Sequence, residues 1–93
     1  MSLLTKDEIA QHLSSLSGWM QEGNQIAKQF QFKDFAEALA FVNKVGAEAE
    51  KMDHHPDIFI YSWNKVKITI STHSEGGITK KDFQLAEKIE GLT

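Results

Sequence analysis

The chain contains no cysteine among its 93 residues. This absence excludes disulfide bonds, thiolate metal sites and thiol catalysis, so a reducing compartment such as the cytoplasm suits the protein. No apolar run approaches the ~18 residues that a membrane-spanning helix needs. The charged residues Lys6, Asp7 and Glu8 are unlike a signal peptide. The sequence therefore predicts a soluble intracellular protein.

An excess of positive charge is also missing. Ten Lys and Arg residues stand against thirteen Asp and Glu residues, which gives a formal net charge of −3. The basic residues are not clustered, whereas binding to a nucleic-acid backbone draws its free energy from counterions released by clustered basic side chains. We therefore expect no direct contact with DNA or RNA.

Proline is restricted to one position, Pro56. The residue before a proline is driven out of the helical region, so the long helical pattern upstream should end near Asp53. The full pattern predicts seven elements: a helix over residues 6–15, strands over 19–22 and 25–32, a helix over 34–53, strands over 58–62 and 66–72, and a helix over 79–91. Thr5 with Glu8, and Thr79 with Asp82, have the spacing of helix capping boxes.

The apolar residues indicate how these elements pack. Val66, Ile68 and Ile70 alternate with polar residues and should face a core, whereas Ser71 and His73 should face away from it. The apolar stripe expected on the long helix is Phe35, Ala38, Leu39, Val42, Val45, Ala49 and Met52. The predicted fold is a single α+β domain over residues 1–93, α-β-β-α-β-β-α, with a four-stranded antiparallel sheet and three helices on one face.

The opposite side of the long helix carries the small residues Ala36, Ala40 and Ala47. Small residues permit close approach of a second helix, so a subunit interface is one interpretation. The high helix propensity of alanine is the other. A chain of this length buries only about 60–65% of its unfolded surface, and oligomerisation would supplement its thin core.

The histidines are the strongest chemical signal. Three of the four, namely His54, His55 and His73, lie in two short stretches. Glu50 is four residues before His54 near a helix end, so its carboxylate should orient that imidazole. His55 should diverge from His54, because Pro56 extends the chain. Convergence with His73 would create a site for general acid–base chemistry near neutral pH.

Two other interpretations of these histidines remain open. Histidines near a helix C-terminus are favoured by the macrodipole and need have no further role. Three histidines with Glu50 could also ligate zinc or iron. Adjacent histidines aim at one ion less well than a pair spaced four residues apart, which disfavours the metal.

Several motifs together resemble the pterin-4a-carbinolamine dehydratase family. They are ExxxHHP at 50–56, Trp-Asn-Lys-Val at 63–66, Ser-Thr-His-Ser-Glu-Gly-Gly at 71–77, Asp82, Gly18-Trp19 and Phe30-x-Phe32. One departure is that six residues separate Pro56 from Trp63, where the animal members have five. We expect a bulge beside the hairpin turn to absorb the additional residue.

The resemblance implies a hydro-lyase that uses neither a metal nor a redox cofactor. Enzymes of this family dehydrate 4a-hydroxytetrahydropterins, such as 4a-hydroxytetrahydrobiopterin, to quinonoid dihydropterins. The resemblance implies that His54 and His73 exchange protons with the pterin and that His55 positions it. It also implies supporting roles: Glu50 and Asp82 fix imidazole tautomers, Trp19 borders the pocket, and Asp53 and the backbone of Ser71 and Thr72 bind the pterin edge.

Each supporting residue also has a structural alternative. Asp82 fits the last position of a capping box. Trp19 and Trp63 could be buried for their apolar area, and Asp53 could be an exposed residue at a helix end.

The resemblance further implies a homodimer or homotetramer that recycles pterin beside a phenylalanine hydroxylase. Three alternatives remain: a dehydratase-like protein acting on another pterin, as in a molybdopterin route; a metallohydrolase; and a non-catalytic co-regulator. Animal relatives assist the dimerisation of a homeodomain transcription factor. A pure adaptor need not keep the three histidines that this chain contains, which favours the enzyme.

Overall fold

A computed structural model describes residues 3–93 and confirms the predicted order of elements and the fold class. The elements are α1 (Lys6–Ser14), β1 (Met20–Glu22), β2 (Gln25–Gln31), α2 (Phe35–Met52), β3 (Asp57–Tyr61), β4 (Lys65–Ile70), a short 3-10 turn (His73–Glu75) and α3 (Lys80–Glu90). Both predicted capping boxes are present, at Thr5 with Glu8 and at Thr79 with Asp82. These caps explain why α1 and α3 begin where they do.

The four strands form one antiparallel sheet in the order β1-β2-β4-β3. Because β4 is central, its alternating residues Val66, Ile68 and Ile70 are fully buried, as their spacing predicted. β4 ends at Ile70, earlier than predicted, and Thr72 then forms an isolated bridge with Gly77. The end of the central strand is therefore joined to the loop that precedes α3.

The hairpin between β3 and β4 differs from the expectation of a bulge. Consecutive residue pairs join the two strands from Asp57–Thr69 to Tyr61–Lys65, and this register leaves no additional residue between them. Ser62 and Trp63 instead adopt left-handed φ values of 47° and 55°. Left-handed residues in a turn match the twist of the flanking strands. The Trp63 side chain is consequently 60% exposed rather than part of a core.

The helices cover one face of the sheet, but α2 is rotated relative to the predicted stripe. Phe41, which lay outside that stripe, is buried and packs against Phe30 and Phe32 at ring-centroid distances of 4.8 and 4.9 Å. Phe35 and Leu39 are instead 50% and 41% exposed. The apolar arc of α2 is broader than the surface that the sheet offers, so one flank of the arc stays uncovered.

Lys28 is the one positively charged residue of β2, and it alternates in phase with the buried residues Ile26 and Phe30. Its Nζ lies 2.9 Å from both carboxylate oxygens of Glu90 and donates to the Ser17 carbonyl oxygen at 2.8 Å. Trp19 Nε1 also donates to Glu90, at 3.2 Å. This half-buried ion pair joins β2 to the C-terminal end of α3.

Candidate functional site

The end of α2 directs the two adjacent histidines into different environments. Asp53 adopts a left-handed conformation (φ 51°, ψ 44°) and ends the helix, a conformation that aspartate tolerates better than most residues. The His54 backbone N–H donates to the Ala49 carbonyl oxygen at 3.1 Å. After this reversal His54 is buried, with a relative exposure of 9%, whereas His55 is exposed.

His54 contacts the carboxylate of Asp82, which is the third residue of α3. His54 Nε2 lies 2.6 Å from Asp82 Oδ1, and Asp82 is 0% exposed. The second oxygen, Oδ2, accepts the Thr79 backbone N–H at 2.8 Å, and the Thr72 hydroxyl lies 3.1–3.2 Å from both oxygens. The first residues of α3 therefore bury a carboxylate directly beside an imidazole.

These contacts indicate which tautomer of His54 fits its surroundings. A carboxylate surrounded by donors is best matched in its ionised form, in which its oxygens only accept hydrogen bonds. His54 Nε2 must then carry the hydrogen that faces Asp82. The other ring nitrogen, Nδ1, then carries the lone pair.

The predicted pairing of Glu50 with His54 is wrong. Glu50 Oε2 instead contacts His55 Nε2, and both side chains are largely exposed, at 74% and 58%. The expected contact assumed that the helix continues through residue 54. The left-handed Asp53 breaks that spacing, so Glu50 meets His55 and Asp82 takes its place beside His54.

His73 lies in the 3-10 turn after β4 and is exposed. The turn is closed by Thr72, whose backbone N–H donates to the Gly77 carbonyl oxygen at 2.8 Å. The Thr72 side chain contacts Asp82, and His73 is the next residue along the chain. We define the histidine cluster as His54, Asp82 and Thr72. His73 follows Thr72 in the chain, and His55, paired with Glu50, follows His54.

Other predicted site residues lie in different surroundings. Trp19 is buried against Phe30 and donates to Glu90. Glu90 is eight residues after Asp82 on α3, or about 12 Å along the helix axis, and the expected place of Trp19 at the border of the pocket stays a prediction. Asp53 is an exposed helix-end residue.

The Thr72 backbone, which was predicted with that of Ser71 to bind the pterin edge, forms hydrogen bonds within its own loop. The Thr72 N–H is bonded to Gly77, and its carbonyl oxygen accepts from the backbone N–H groups of Glu75 at 3.0 Å and Gly77 at 3.4 Å. Ser71 is half-buried at the start of the same loop. Thr72 therefore contributes to the cluster through its hydroxyl group.

Thr79 contacts two residues of the histidine cluster, and the sequence reasoning missed this part of its role. Its hydroxyl lies 2.8 Å from the Thr72 hydroxyl, and Thr79 is 0% exposed. The sequence pattern indicated only its role as the cap of the last helix. The sequence signal that could have identified this role is its capping partner, Asp82. That residue completes the capping box and also contacts His54.

A groove of about 340 Å³ is lined mainly by residues of β1 and β2, with Lys67 of β4. Its lining includes Glu22 and Lys67, which pair with each other at 3.1 Å, and Lys28, which pairs with Glu90. These ionisable groups are already matched, so proton-transfer chemistry favours the histidine cluster as the candidate site.

Two further observations concern the described residues 3–93. They contain no group of three or more His, Cys, Asp or Glu side chains placed to hold a metal ion. None of the helices in this range combines the length and apolar character needed to cross a membrane.

Comparisons with known proteins agree on one family. The family described as pterin 4 alpha carbinolamine dehydratase matches residues 2–92. A Nostoc sp. protein provisionally named pterin-4-alpha-carbinolamine dehydratase is 53% identical over 90 residues, covering 97% of this chain and 96% of the relative. A Sulfolobus acidocaldarius protein with the same provisional name is 49% identical over 89 residues, covering 96% and 97%.

Two solved structures are also similar. A Brucella melitensis protein described as a transcriptional coactivator/pterin dehydratase superposes with a TM-score of 0.93 at 38% identity, covering 98% of both chains. A pterin dehydratase-like protein identified as a RuBisCO assembly factor of the alpha-carboxysome superposes with a TM-score of 0.64 at 21% identity, covering 80% of this chain and 84% of that one. The second likeness concerns the fold alone.

Proposed function

This chain belongs to the pterin 4 alpha carbinolamine dehydratase family, and from that premise we propose that it is a hydro-lyase acting on a 4a-hydroxytetrahydropterin. The reaction removes water and leaves a quinonoid dihydropterin. The bond between carbon 4a and its hydroxyl oxygen breaks, and a proton joins the departing group. A second proton leaves the adjacent ring nitrogen as the new C=N bond forms, so the site must supply one acid and one base.

His54 has the surroundings of the base. Its Nε2 hydrogen faces the buried Asp82 carboxylate at 2.6 Å, which leaves Nδ1 as the proton acceptor. Once Nδ1 takes a proton, the imidazolium is stabilised by the adjacent negative charge, as in other Asp–His pairs. The single observation behind the proposal is this buried pair, because no helix cap requires a histidine beside its carboxylate.

His73 has the surroundings of the acid. It is exposed and directly follows Thr72 of the histidine cluster, so it can regain a proton from water after each turnover. His55, paired with Glu50, is assigned to binding the pterin. Asp53 and the Ser71 backbone lie beside His54 and Thr72 in sequence and are assigned to the pterin edge.

The direct test is the decay of 4a-hydroxytetrahydropterin, produced by a phenylalanine hydroxylase and followed by stopped-flow absorbance. The wild type should accelerate the decay, and His54→Ala and His73→Ala should each reduce kcat by about 10²–10⁴-fold, the usual contribution of an acid–base group. His12→Gln is the matched control, because His12 stacks on Phe83 and belongs to neither histidine stretch. A folded wild type without activity would refute the proposal.

The biological setting follows from the same premise. A 4a-hydroxytetrahydropterin is released by aromatic amino-acid hydroxylases, so we assign the protein to pterin recycling beside such an enzyme, in the cytoplasm, as a homodimer or homotetramer. The family match over residues 2–92 supports a single functional domain. Comparing turnover of tetrahydrobiopterin-derived and molybdopterin-related substrates would identify the physiological pterin.

A co-regulator role is the second candidate. It is favoured by the Brucella melitensis structure, whose description includes transcriptional coactivator, and by the uncovered apolar flank of Phe35 and Leu39 on α2. Partner binding through that flank should survive His54→Ala and be lost in Leu39→Glu. The reverse pattern would remove this candidate.

A further inference from the structure

We infer that Thr72 and Thr79 are positioning residues: a directed chain of hydrogen bonds runs from Thr79 through Thr72 to Asp82 and sets the tautomer of His54. The catalytic meaning of this chain rests on the proposed function. Its existence and direction rest on the geometry of the buried side chains alone.

The direction follows from counting hydrogens. Each threonine hydroxyl has one hydrogen to donate, and an ionised carboxylate has none. Thr72 Oγ1 lies 3.1 Å from Asp82 Oδ2 and 3.2 Å from Oδ1, so its hydrogen goes to the carboxylate. The 2.8 Å contact between the two hydroxyls must then use the hydrogen of Thr79. Thr79 Oγ1 in turn accepts from the Lys81 backbone N–H at 3.3 Å.

Every neighbour of Asp82 is consequently a donor. The Thr72 hydroxyl, the Thr79 backbone N–H and His54 Nε2 all face its two oxygens. Donors on all sides stabilise the charged carboxylate and leave it no partner to which it could donate. His54 is thereby held with its hydrogen on Nε2 and its lone pair on Nδ1.

The position of Thr72 argues against a purely structural role for its hydroxyl. Thr72 continues the core-facing phase of Val66, Ile68 and Ile70 and is 7% exposed. An aliphatic residue of the same shape would fill this position without placing a hydroxyl in the core. The capping box itself needs only Thr79 and Asp82, so the cap does not account for the Thr72 hydroxyl.

Thr72 also connects the two proposed catalytic histidines. Its hydroxyl contacts the carboxylate that holds His54, and its backbone closes the turn that begins with His73. One rigid residue thus sets the orientation of one imidazole and the anchor point of the other. Loss of the hydroxyl should therefore reduce kcat more than it raises KM.

The test compares Thr72→Val, which keeps the shape and removes the hydroxyl, with Thr72→Ser, which keeps the hydroxyl. We expect kcat to fall by about 10- to 100-fold in Thr72→Val with little change in KM, and to stay close to the wild-type value in Thr72→Ser. Imidazole nitrogen-15 NMR should show His54 as the Nε2–H tautomer in the wild type and in Thr72→Ser. The Nε2–H fraction should be lower in Thr72→Val.

Two results would overturn the inference: an Nδ1–H tautomer of His54 in the wild type, or a Thr72→Val variant unchanged in both tautomer and kcat. The wild-type spectrum needs no substitution, so the inference stays testable even if Thr72→Val does not fold. If the wild type does not turn over a 4a-hydroxypterin but Thr72→Val still lowers the Nε2–H fraction, the proposed function fails and the hydrogen-bond chain stands.

Discussion

Substitution of Asp82 by asparagine tests the site sharply, because it keeps the shape of the side chain and changes only its hydrogen bonding. One carboxylate oxygen faces His54 Nε2 at 2.6 Å, and the other accepts the Thr79 N–H at 2.8 Å. Both neighbours are donors, whereas an amide offers one acceptor and one donor group. In either orientation, Asp82→Asn therefore turns its NH₂ group toward a donor or forces His54 into the other tautomer.

The magnitude can be worked from these contacts. A hydrogen bond to a charged group contributes about 1.5–3 kcal/mol, and a loss of about 2 kcal/mol lowers the Tm of a chain of this size by about 8–16 °C. We expect kcat to fall by about 100-fold or more, because the wrong tautomer of His54 cannot accept a proton at Nδ1.

Two measurements on Asp82→Asn check this reasoning: thermal unfolding by circular dichroism and stopped-flow decay of the 4a-hydroxypterin. Glu50→Gln is the matched control for the thermal unfolding, since its histidine contact is exposed and such pairs contribute at most about 1 kcal/mol. A variant with lowered Tm and wild-type kcat would show that Asp82 is only a helix cap. That result would refute its role beside His54.

Three further predictions concern other parts of the chain. Lys28→Met should lower the free energy of unfolding in urea by about 1–3 kcal/mol, because it leaves Glu90 half-buried without its cation, while kcat of the folded protein stays unchanged. Hydrogen bonds from Thr5 hold the pKa of Glu8 below its ordinary value of 4.5, so its stabilising effect is present above that pH and is lost as the pH falls through the lowered pKa. Glu8→Gln should therefore lose less stability on acidification in a pH series of thermal melts, and an unchanged slope would contradict this. Ala40→Glu should lower the mass measured by light scattering if the exposed small-residue side of α2 is a subunit interface, and an equal mass would exclude that interface.

Local sequence patterns predicted the elements of the fold well, because their causes are local. The capping pairs Thr5–Glu8 and Thr79–Asp82 mark helix starts through contacts three residues apart. Strict alternation in β4 predicted its two faces, since a central strand buries every second residue. The rotation of α2 was not predictable in this way. Its apolar arc is wide, and the aromatic pocket that receives Phe41 comes from β2.

The partners within the site depended on single backbone conformations and distant residues. Helical spacing favoured Glu50 beside His54, but one left-handed residue, Asp53, redirected the chain. The actual partner of His54 is 28 residues away in sequence, at the start of another helix. The histidine stretches themselves were recognisable, because three of the four histidines lie in two short stretches whose motifs match a known family.

The shared use of Asp82 by a helix cap and by His54 has a consequence for how such sequences change over time. A lineage that no longer needs the reaction is still held to aspartate at this position, because losing it would also weaken the start of α3. His54 is under no such structural obligation and can drift once selection for turnover is relaxed. Among relatives with this fold, the aspartate should therefore persist in enzymes and non-enzymes alike. The buried histidine is the residue whose loss would record that catalysis has been abandoned.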